Sequence, residues 1–169
     1  DTVAAASGGD IVIHPLTHAT FALSWNGKVI YVDPAPAPGV DASADAAAPF
    51  KGMPPADLIL VTDIHFDHFN APALTSLAGA NTKIVAPKAV IDQMPEALKA
   101  KTTQVANDQT VTVDTIPITG VPMYNISPDR LQYHDKGRGN GYILALGGKR
   151  LYIAGDTEAH EEMKALKNI

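Results

Sequence analysis

The stretch LILVTDIHFDHFN, residues 58–70, joins a short apolar run to a dense group of side chains that can bind metal ions. Leu58 to Val61 is a continuous apolar run, which is typical of a strand covered on both faces. The candidate ligands that follow it are Asp63, His65, Asp67 and His68. Because residues two apart in an extended segment point the same way, the first three can converge, and the fourth joins them where the chain turns. The pattern predicts a metal site at the carboxyl end of a buried strand, where open α/β sheets place ligands.

Two later loops carry further candidate ligands. Asp156 follows the predicted strand 149–154 and precedes a predicted helix, which is the same placement as the first group. His134 lies in the polar stretch HDKGRGNG (134–141), whose glycines allow tight turns and a close approach of the backbone to a ligand. Taken alone, His134 would be an ordinary loop histidine. Three separate loops that carry His and Asp predict a shared site.

Strands and helices alternate around these loops. Asn26-Gly27 predicts the turn of one β-hairpin, and Gly147-Gly148 predicts the turn of a second. The proline-rich segment 33–55 is expected to be a long loop, because proline does not fit a central strand. Asn70 and Pro72 indicate the start of a helix. The predicted strands are 11–16, 19–25, 28–32, 58–61, 83–86, 109–113, 115–119, 140–146 and 149–154, and the predicted helices are 71–79, 87–94 and 158–167.

Length and composition restrict the class of protein. The 169 residues suffice for one domain with a core, so we expect a single domain, 1–169, whose residues 1–9 are flexible. A net charge of -5, with no basic cluster longer than Lys149-Arg150, argues against nucleic acid as a partner. No apolar run reaches the roughly 18 to 20 residues that cross a bilayer, so no membrane span is expected. The absence of cysteine leaves His, Asp and Glu as metal ligands.

Several motifs resemble those of the metallo-β-lactamase fold superfamily. TDIHFDH (62–68) resembles its HxHxDH signature, and YIAGDT (152–157) resembles its later metal-bridging aspartate motif. Shorter segments resemble the branch that contains the ascorbate-phosphate lactonases and the N-acyl-phosphatidylethanolamine phospholipase D relatives. These segments are THAT (17–20), VDP (32–34), MYN (123–125) and HDKGRGNGY (134–142). The resemblance covers about residues 10–169 and identifies the superfamily, whereas substrate does not follow from it.

The resemblance implies an α/β fold, specifically an αβ/βα four-layer sandwich with a dinuclear metal site between two sheets. By position in the motifs, one metal would be held by Asp63, His65 and His134, the other by Asp67 and His68, and Asp156 would bridge them. We therefore expect two divalent metal ions, with zinc favoured. Asp63 stands where the family has its first histidine, and a carboxylate suits harder cations, so Mn or Fe is the alternative.

Other side chains are expected to act beside the metals. The catalytic candidates are Asp67, which would orient water or move its proton, and Tyr124, which would donate to a developing oxyanion. His18, Asp33 and Asn125 are expected to contact the metal ligands or the substrate. The alternative for these residues is structural: a satisfied histidine, a turn-forming aspartate, or a core tyrosine with one polar tip.

These features predict a metal-dependent hydrolase in which a metal-bound hydroxide cleaves a lactone, a β-lactam or another ester- or amide-like bond. The expected partner is a small-molecule substrate, and homo-oligomers are compatible with the sequence. Two alternatives stay open: a phosphodiesterase of the same fold, and a noncatalytic metal-binding domain with a degenerate site. An open coordination position that holds water would favour an enzyme over the noncatalytic domain.

The two ends of the sequence lead to expectations about processing. The start, DTVAAASGGD, is small and polar, as if a secretory signal had been removed, which predicts a periplasmic or secreted protein; a cytoplasmic location is the alternative. The superfamily has a final histidine after another strand and helix, and this sequence stops at Ile169. We interpret the domain as incomplete at its C-terminus, with the remainder cleaved or in a separate chain. The alternative is a protein that works with an incomplete second site.

Overall fold

Two β-sheets face each other in the computed structural model, which describes residues 1–36 and 48–169. The first sheet has seven strands in the order β1 to β7, antiparallel from β1 to β4 and parallel from β4 to β7. Its strands are β1 (Thr2–Val3), β2 (Ile11–Thr17), β3 (Thr20–Trp25), β4 (Lys28–Val32), β5 (Ala56–Leu60), β6 (Ala78–Ala86) and β7 (Thr102–Gln104).

The second sheet is antiparallel and has four strands in the order β11-β10-β9-β8. They are β8 (Thr110–Val113), β9 (Ile116–Met123), β10 (Gly139–Leu146) and β11 (Lys149–Ile153). Both predicted hairpin turns form. Asn26 and Gly27 have φ angles of 50° and 71°, and Gly147 and Gly148 have 54° and 83°, the positive values that tight two-residue turns require.

The main core lies between the two sheets. Ile30 and Leu60 from the first sheet and Leu144 from the second are fully buried in one cluster. Tyr142 is buried there too, and its hydroxyl donates to the Val61 carbonyl at 2.7 Å, which joins the two sheets next to the predicted metal loop. A buried phenol needs such a partner, because an unpaired hydroxyl in an apolar core is costly.

Short helices cover the outer face of the first sheet. They are α1 (Ala71–Leu77), α2 (Lys88–Gln93) and α3 (Glu96–Lys99), and they enclose a second apolar cluster. Asn70 caps α1 as predicted, because its side chain accepts the Ala73 N–H at 2.9 Å. A fourth helix, α4 (Glu161–Lys164), packs on β9. The mixed α/β fold with two facing sheets matches the sandwich that the motifs imply. None of the helices in the described residues has the length and hydropathy that crossing a bilayer requires.

Several predicted elements differ in extent from those of the structure. The helix expected over 158–167 is confined to α4, because the Glu158 carboxylate accepts the N–H groups of Ile126 and Ser127 and so fixes the preceding residues as a loop. The helix expected to reach Gly79 ends at Leu77, since the chain pairs with β5 from Ala78 onward. Within the expected loop 33–55, residues 48–50 form a short 3-10 helix, and residues 37–47 lie outside the described residues.

Candidate metal centre

The predicted metal loop follows β5 directly. Asp63 is fully buried, and the chain then turns, because the His65 carbonyl accepts the N–H groups of His68 and Phe69 at 3.0 and 2.8 Å. This turn carries His68 back toward the end of the strand. The segment is a turn and not the extended stretch that the spacing argument assumed, and the turn brings Nδ1 of His65 within 2.9 Å of Asp63.

The first group of candidate ligands is Asp63, His65 and His134. One donor atom from each lies within 4.8 Å of the others. Nδ1 of His65 is 2.9 Å, and Nε2 of His134 is 3.7 Å, from Oδ2 of Asp63. The structure thus joins the loop after β5 to the loop between β9 and β10, which are separated by about seventy residues in sequence.

The second group meets at Asp156, in the loop after β11. Oδ2 of Asp156 is 3.4 Å from Nε2 of His68 and 3.6 Å from Nε2 of His134. Within the described residues, both of these nitrogens are buried and have no hydrogen-bond partner. Buried polar atoms nearly always have a hydrogen-bond partner. Imidazole nitrogens and carboxylate oxygens are ligands of Zn²⁺ in proteins. The donor set therefore fits a bound cation.

Asp33 orients His68. Its Oδ2 is 2.9 Å from Nδ1 of His68, and its two oxygens accept the N–H and hydroxyl of Thr62 at 2.7 Å each. A carboxylate on Nδ1 selects the tautomer whose Nε2 lone pair faces a metal. Burial lowers the pKa of His68, but the carboxylates of Asp156 and Asp33 outweigh burial and raise it to about 10. This pocket therefore favours a positive charge at Nε2.

Asn125 orients His134. Its side-chain nitrogen lies 3.0 Å from Nδ1 of His134 and donates to the Arg130 carbonyl at 3.0 Å, while its backbone N–H donates to the His134 carbonyl. Burial lowers the pKa of His134, although the carboxylates of Asp63 and Asp156 oppose this shift. The neutral imidazole, which is the metal-binding form, is therefore favoured at this position.

Asp67 and His18 form a pair at the rim of the site. Oδ2 of Asp67 is 2.8 Å from Nε2 of His18, which lies in the turn between β2 and β3. The His18 side chain is 45% exposed, and its ring centroid is 6.4 Å from that of His68. The structure thus places His18 beside the metal loop, and through it fixes one oxygen of Asp67.

The side chain of Tyr124 contacts α4. Its hydroxyl donates to Oε2 of Glu162 at 2.7 Å, and its ring stacks on His160 with centroids 4.2 Å apart. In this structure the hydroxyl proton is therefore directed to Glu162. The contacts of Tyr124 are those of a residue that seats α4 on the second sheet, which is the structural alternative.

Arg138 is a site residue that the sequence motifs did not identify. Its Nε and Nη2 donate to the two oxygens of Asp63 at 3.2 and 3.0 Å, and Nη2 is 3.3 Å from Nε2 of His65. Nη2 also donates to the Tyr133 carbonyl. The available signal was an arginine between two glycines, four residues after His134. Its partner lies 75 residues earlier in the chain, which no local pattern reveals.

A cavity of about 380 Å³ opens beside these ligands. His134 and Asp156 line this cavity together with Tyr133 and Arg130, two residues that are exposed. Arg130 is itself 3.7 Å from the Glu158 carboxylate. The cavity has the size of a small-ligand pocket and has direct access to the candidate metal ligands.

Residues 28–169 match the family model described as "Beta-lactamase superfamily domain". The chain belongs to this family. It is 31% identical over 155 residues to a UPF0173 metal-dependent hydrolase of Pyrococcus abyssi, in a match that covers 91% of this chain and 65% of that protein. This superfamily member therefore spans slightly less than two thirds of the length of the Pyrococcus relative.

Solved structures agree with this assignment. A crystal structure from Parabacteroides distasonis ATCC 8503, named as a metal-dependent hydrolase, is 35% identical with a TM-score of 0.83, covering 98% of this chain and 70% of that one. Igni18, a metallo hydrolase from Ignicoccus hospitalis, is 21% identical with a TM-score of 0.66, covering 91% of this chain and 64% of that one. The second likeness concerns the fold alone. The Parabacteroides structure relates this superfamily member to a protein named as a metal-dependent hydrolase.

Proposed function

We propose that the site binds two divalent metal ions. Asp63, His65 and His134 would hold one, Asp67 and His68 the other, and Asp156 would contact both. The observation that carries this proposal is the pair of buried Nε2 atoms of His68 and His134, which lie on either side of Oδ2 of Asp156 and find no hydrogen-bond partner in the described part of the chain. A cation beside each nitrogen would satisfy it, and the two cations would offset the charge of the nearby carboxylates.

We further propose that this member of the superfamily is a metal-dependent hydrolase. The names of its relatives support this activity, and so does the cavity that opens onto the candidate ligands. A bound divalent cation supplies Lewis acidity, which polarises a carbonyl or phosphoryl oxygen and promotes the ionisation of water. Zinc is the metal we favour, with Mn or Fe as alternatives because of Asp63.

The Asp67–His18 pair is suited to remove a proton from the attacking water. Asp67 would take the proton, and His18 would pass it to solvent, because the two side chains are 2.8 Å apart and His18 is 45% exposed. Asn125 and Asp33 would keep His134 and His68 in their orientations. Asp67 and His18 would thus transfer the proton, whereas Asn125 and Asp33 would orient the metal ligands.

Charge in the cavity favours a carbonyl substrate over a phosphodiester. Its arginine, Arg130, faces the Glu158 carboxylate at 3.7 Å, so its positive charge is offset, and the chain carries a net charge of -5. A polyanion would therefore meet little attraction. We propose a lactone, a β-lactam or another ester- or amide-like substrate, and we keep a phosphodiester as the alternative outcome of the test.

The test combines metal analysis with a substrate panel. Purified protein is analysed for metal and assayed on lactones, β-lactams and phosphodiesters, before and after chelation and after zinc or manganese is restored. We expect chelation and His68→Gln to abolish hydrolysis, and His14→Gln, which changes an exposed histidine on β2, to leave it intact. Hydrolysis that is indifferent to chelation would overturn the mechanism. Bound metal without hydrolysis of any substrate would favour a noncatalytic metal-binding domain.

A further inference from the structure

The first ligand group contains an ion pair between an arginine and a buried carboxylate. Nε and Nη2 of Arg138 each donate to one oxygen of Asp63, at 3.2 and 3.0 Å. We propose that Arg138 is a positioning residue that neutralises Asp63 and thereby weakens the binding of divalent cations to the first ligand group. This inference rests on the proposed metal site, and it concerns how tightly that site is filled.

Burial makes the pair necessary. Asp63 is fully buried, and an ionised carboxylate removed from water is strongly unfavourable without a partner. The planar guanidinium matches the two carboxylate oxygens, so it compensates the charge and also fixes the rotation of the carboxylate. Asp63 and Arg138 together carry no net charge. In this respect they resemble the neutral imidazole that the superfamily motif has at the position of Asp63.

The backbone is shaped to bring Arg138 to Asp63. A Cβ atom on Gly139 would lie 2.9 Å from the Thr62 carbonyl oxygen and 3.4 Å from Oδ1 of Asp63, and it would collide with the Met123 side chain. The next residue, Asn140, donates its N–H to the same Thr62 carbonyl at 2.9 Å. Only glycine permits this approach, so the start of β10 is built against the metal loop and seats the preceding arginine on the carboxylate.

Arg138 and a cation act on the same atom. Oδ2 of Asp63, which faces His65 and His134, is the oxygen that accepts from Nη2 of Arg138. A carboxylate oxygen has lone pairs for more than one partner, so the cation is not excluded. The fixed positive charge beside it reduces the attraction for a divalent ion. The first group should therefore fill at a higher free metal concentration than an unopposed carboxylate would require.

The direction of the change in metal affinity distinguishes charge neutralisation by Arg138 from a purely packing role. In Arg138→Gln the opposing charge is gone, so cation binding to the first group should tighten by about 10-fold or more. The same substitution leaves a buried carboxylate without its ion pair, so the metal-free protein should melt at a lower temperature. A residue that only packs would weaken metal binding and stability together.

The experiment is a titration of metal-free protein with zinc alone and with manganese alone against a chromophoric chelator, together with thermal melts. His65→Gln identifies the binding step of the first group by removing it. Arg138→Lys keeps the positive charge. Its affinity for metal at the first group should stay within about threefold of wild type, because the Coulomb interaction depends on charge and distance. Arg150→Gln, an equal loss of charge at the exposed start of β11, should change neither quantity.

A second comparison serves if Arg138→Gln does not fold. Asp63→Asn removes the buried charge, and the double variant Asp63→Asn, Arg138→Gln then removes the arginine without leaving an unpaired carboxylate. The double variant should bind metal about 10-fold or more tightly than Asp63→Asn. Equal or weaker binding on loss of Arg138 would overturn this inference while leaving the metal site intact. A wild-type protein that binds neither metal would instead overturn the proposed function.

Discussion

The two candidate ligand groups differ in how the negative charge of their carboxylates is compensated. In the first, a buried carboxylate is neutralised by Arg138, a permanent cation that the protein supplies. In the second, the carboxylates of Asp33 and Asp156 flank His68, whose Nε2 has no hydrogen-bond partner among the described residues. The charge of Asp63 is therefore compensated by the protein itself, whereas the carboxylates that flank His68 are compensated only by a proton on its imidazole or by a bound cation.

The largest effect is expected from Asp33→Asn. Asp33 accepts three hydrogen bonds and orients His68, so the amide leaves buried donors unpaired. We expect metal-free protein to lose about 2 to 4 kcal/mol of stability, and metal affinity of the second group to fall about 10- to 100-fold. Chemical denaturation and metal titration measure these changes. Asp57→Asn, a half-exposed carboxylate on β5, should cost less than about 1 kcal/mol. Equal losses of stability in Asp33→Asn and Asp57→Asn would contradict the role assigned to Asp33.

Gly139→Ala tests the backbone contact behind the first group. The added methyl meets the Thr62 carbonyl and Met123, so we expect a loss of about 1 to 3 kcal/mol. At Gly79 on β6 the nearest neighbour of an added Cβ is 3.8 Å away, so Gly79→Ala should cause no loss. Urea unfolding of both variants provides the comparison. A neutral Gly139→Ala would mean that the loop adjusts freely and that Arg138 is not seated by the fold.

The pH dependence of metal-free protein should distinguish the two histidines. The pKa of His68 is raised from 6.5 to about 10, so its stabilisation is fully present below pH 6.5 and is lost as pH rises toward 10. The pKa of His134 is lowered, so its contribution has the opposite sign, and stability is lost as pH falls through its usual range. Calorimetry in EDTA should show a fall in Tm above pH 6.5 that His68→Gln lacks and His134→Gln keeps. The same alkaline fall in all three proteins would disprove this assignment.

Tyr124→Phe should have the smallest effect, because Tyr124 lies outside both ligand groups. The substitution removes a hydrogen bond to Glu162 that contacts neither group, so hydrolysis of the best substrate should stay within about twofold of wild type. Steady-state kinetics measure this directly. A 100-fold loss of kcat would instead support the oxyanion role that the sequence predicts for Tyr124.

Local patterns were sufficient for much of the fold. Asn26-Gly27 and Gly147-Gly148 form the predicted turns, and the apolar run at Leu58 is a buried strand, because turn geometry and burial on both faces leave clear marks in a few residues. The helix expected over 158–167 is much shorter, because Glu158 bonds to the backbone of a distant loop. Loops held by long-range contacts carry no periodic signal.

The sequence by itself determined which residue types are available to bind a metal and that they follow strands. Tertiary structure alone decided that Asp156 lies between His68 and His134, that Asp33 holds His68, and that Arg138 occupies both oxygens of Asp63. The physical reason is distance along the chain. A motif fixes the relative positions of near neighbours, whereas the partner of a buried charge is chosen by which strands lie side by side, and that depends on the packing of the whole domain.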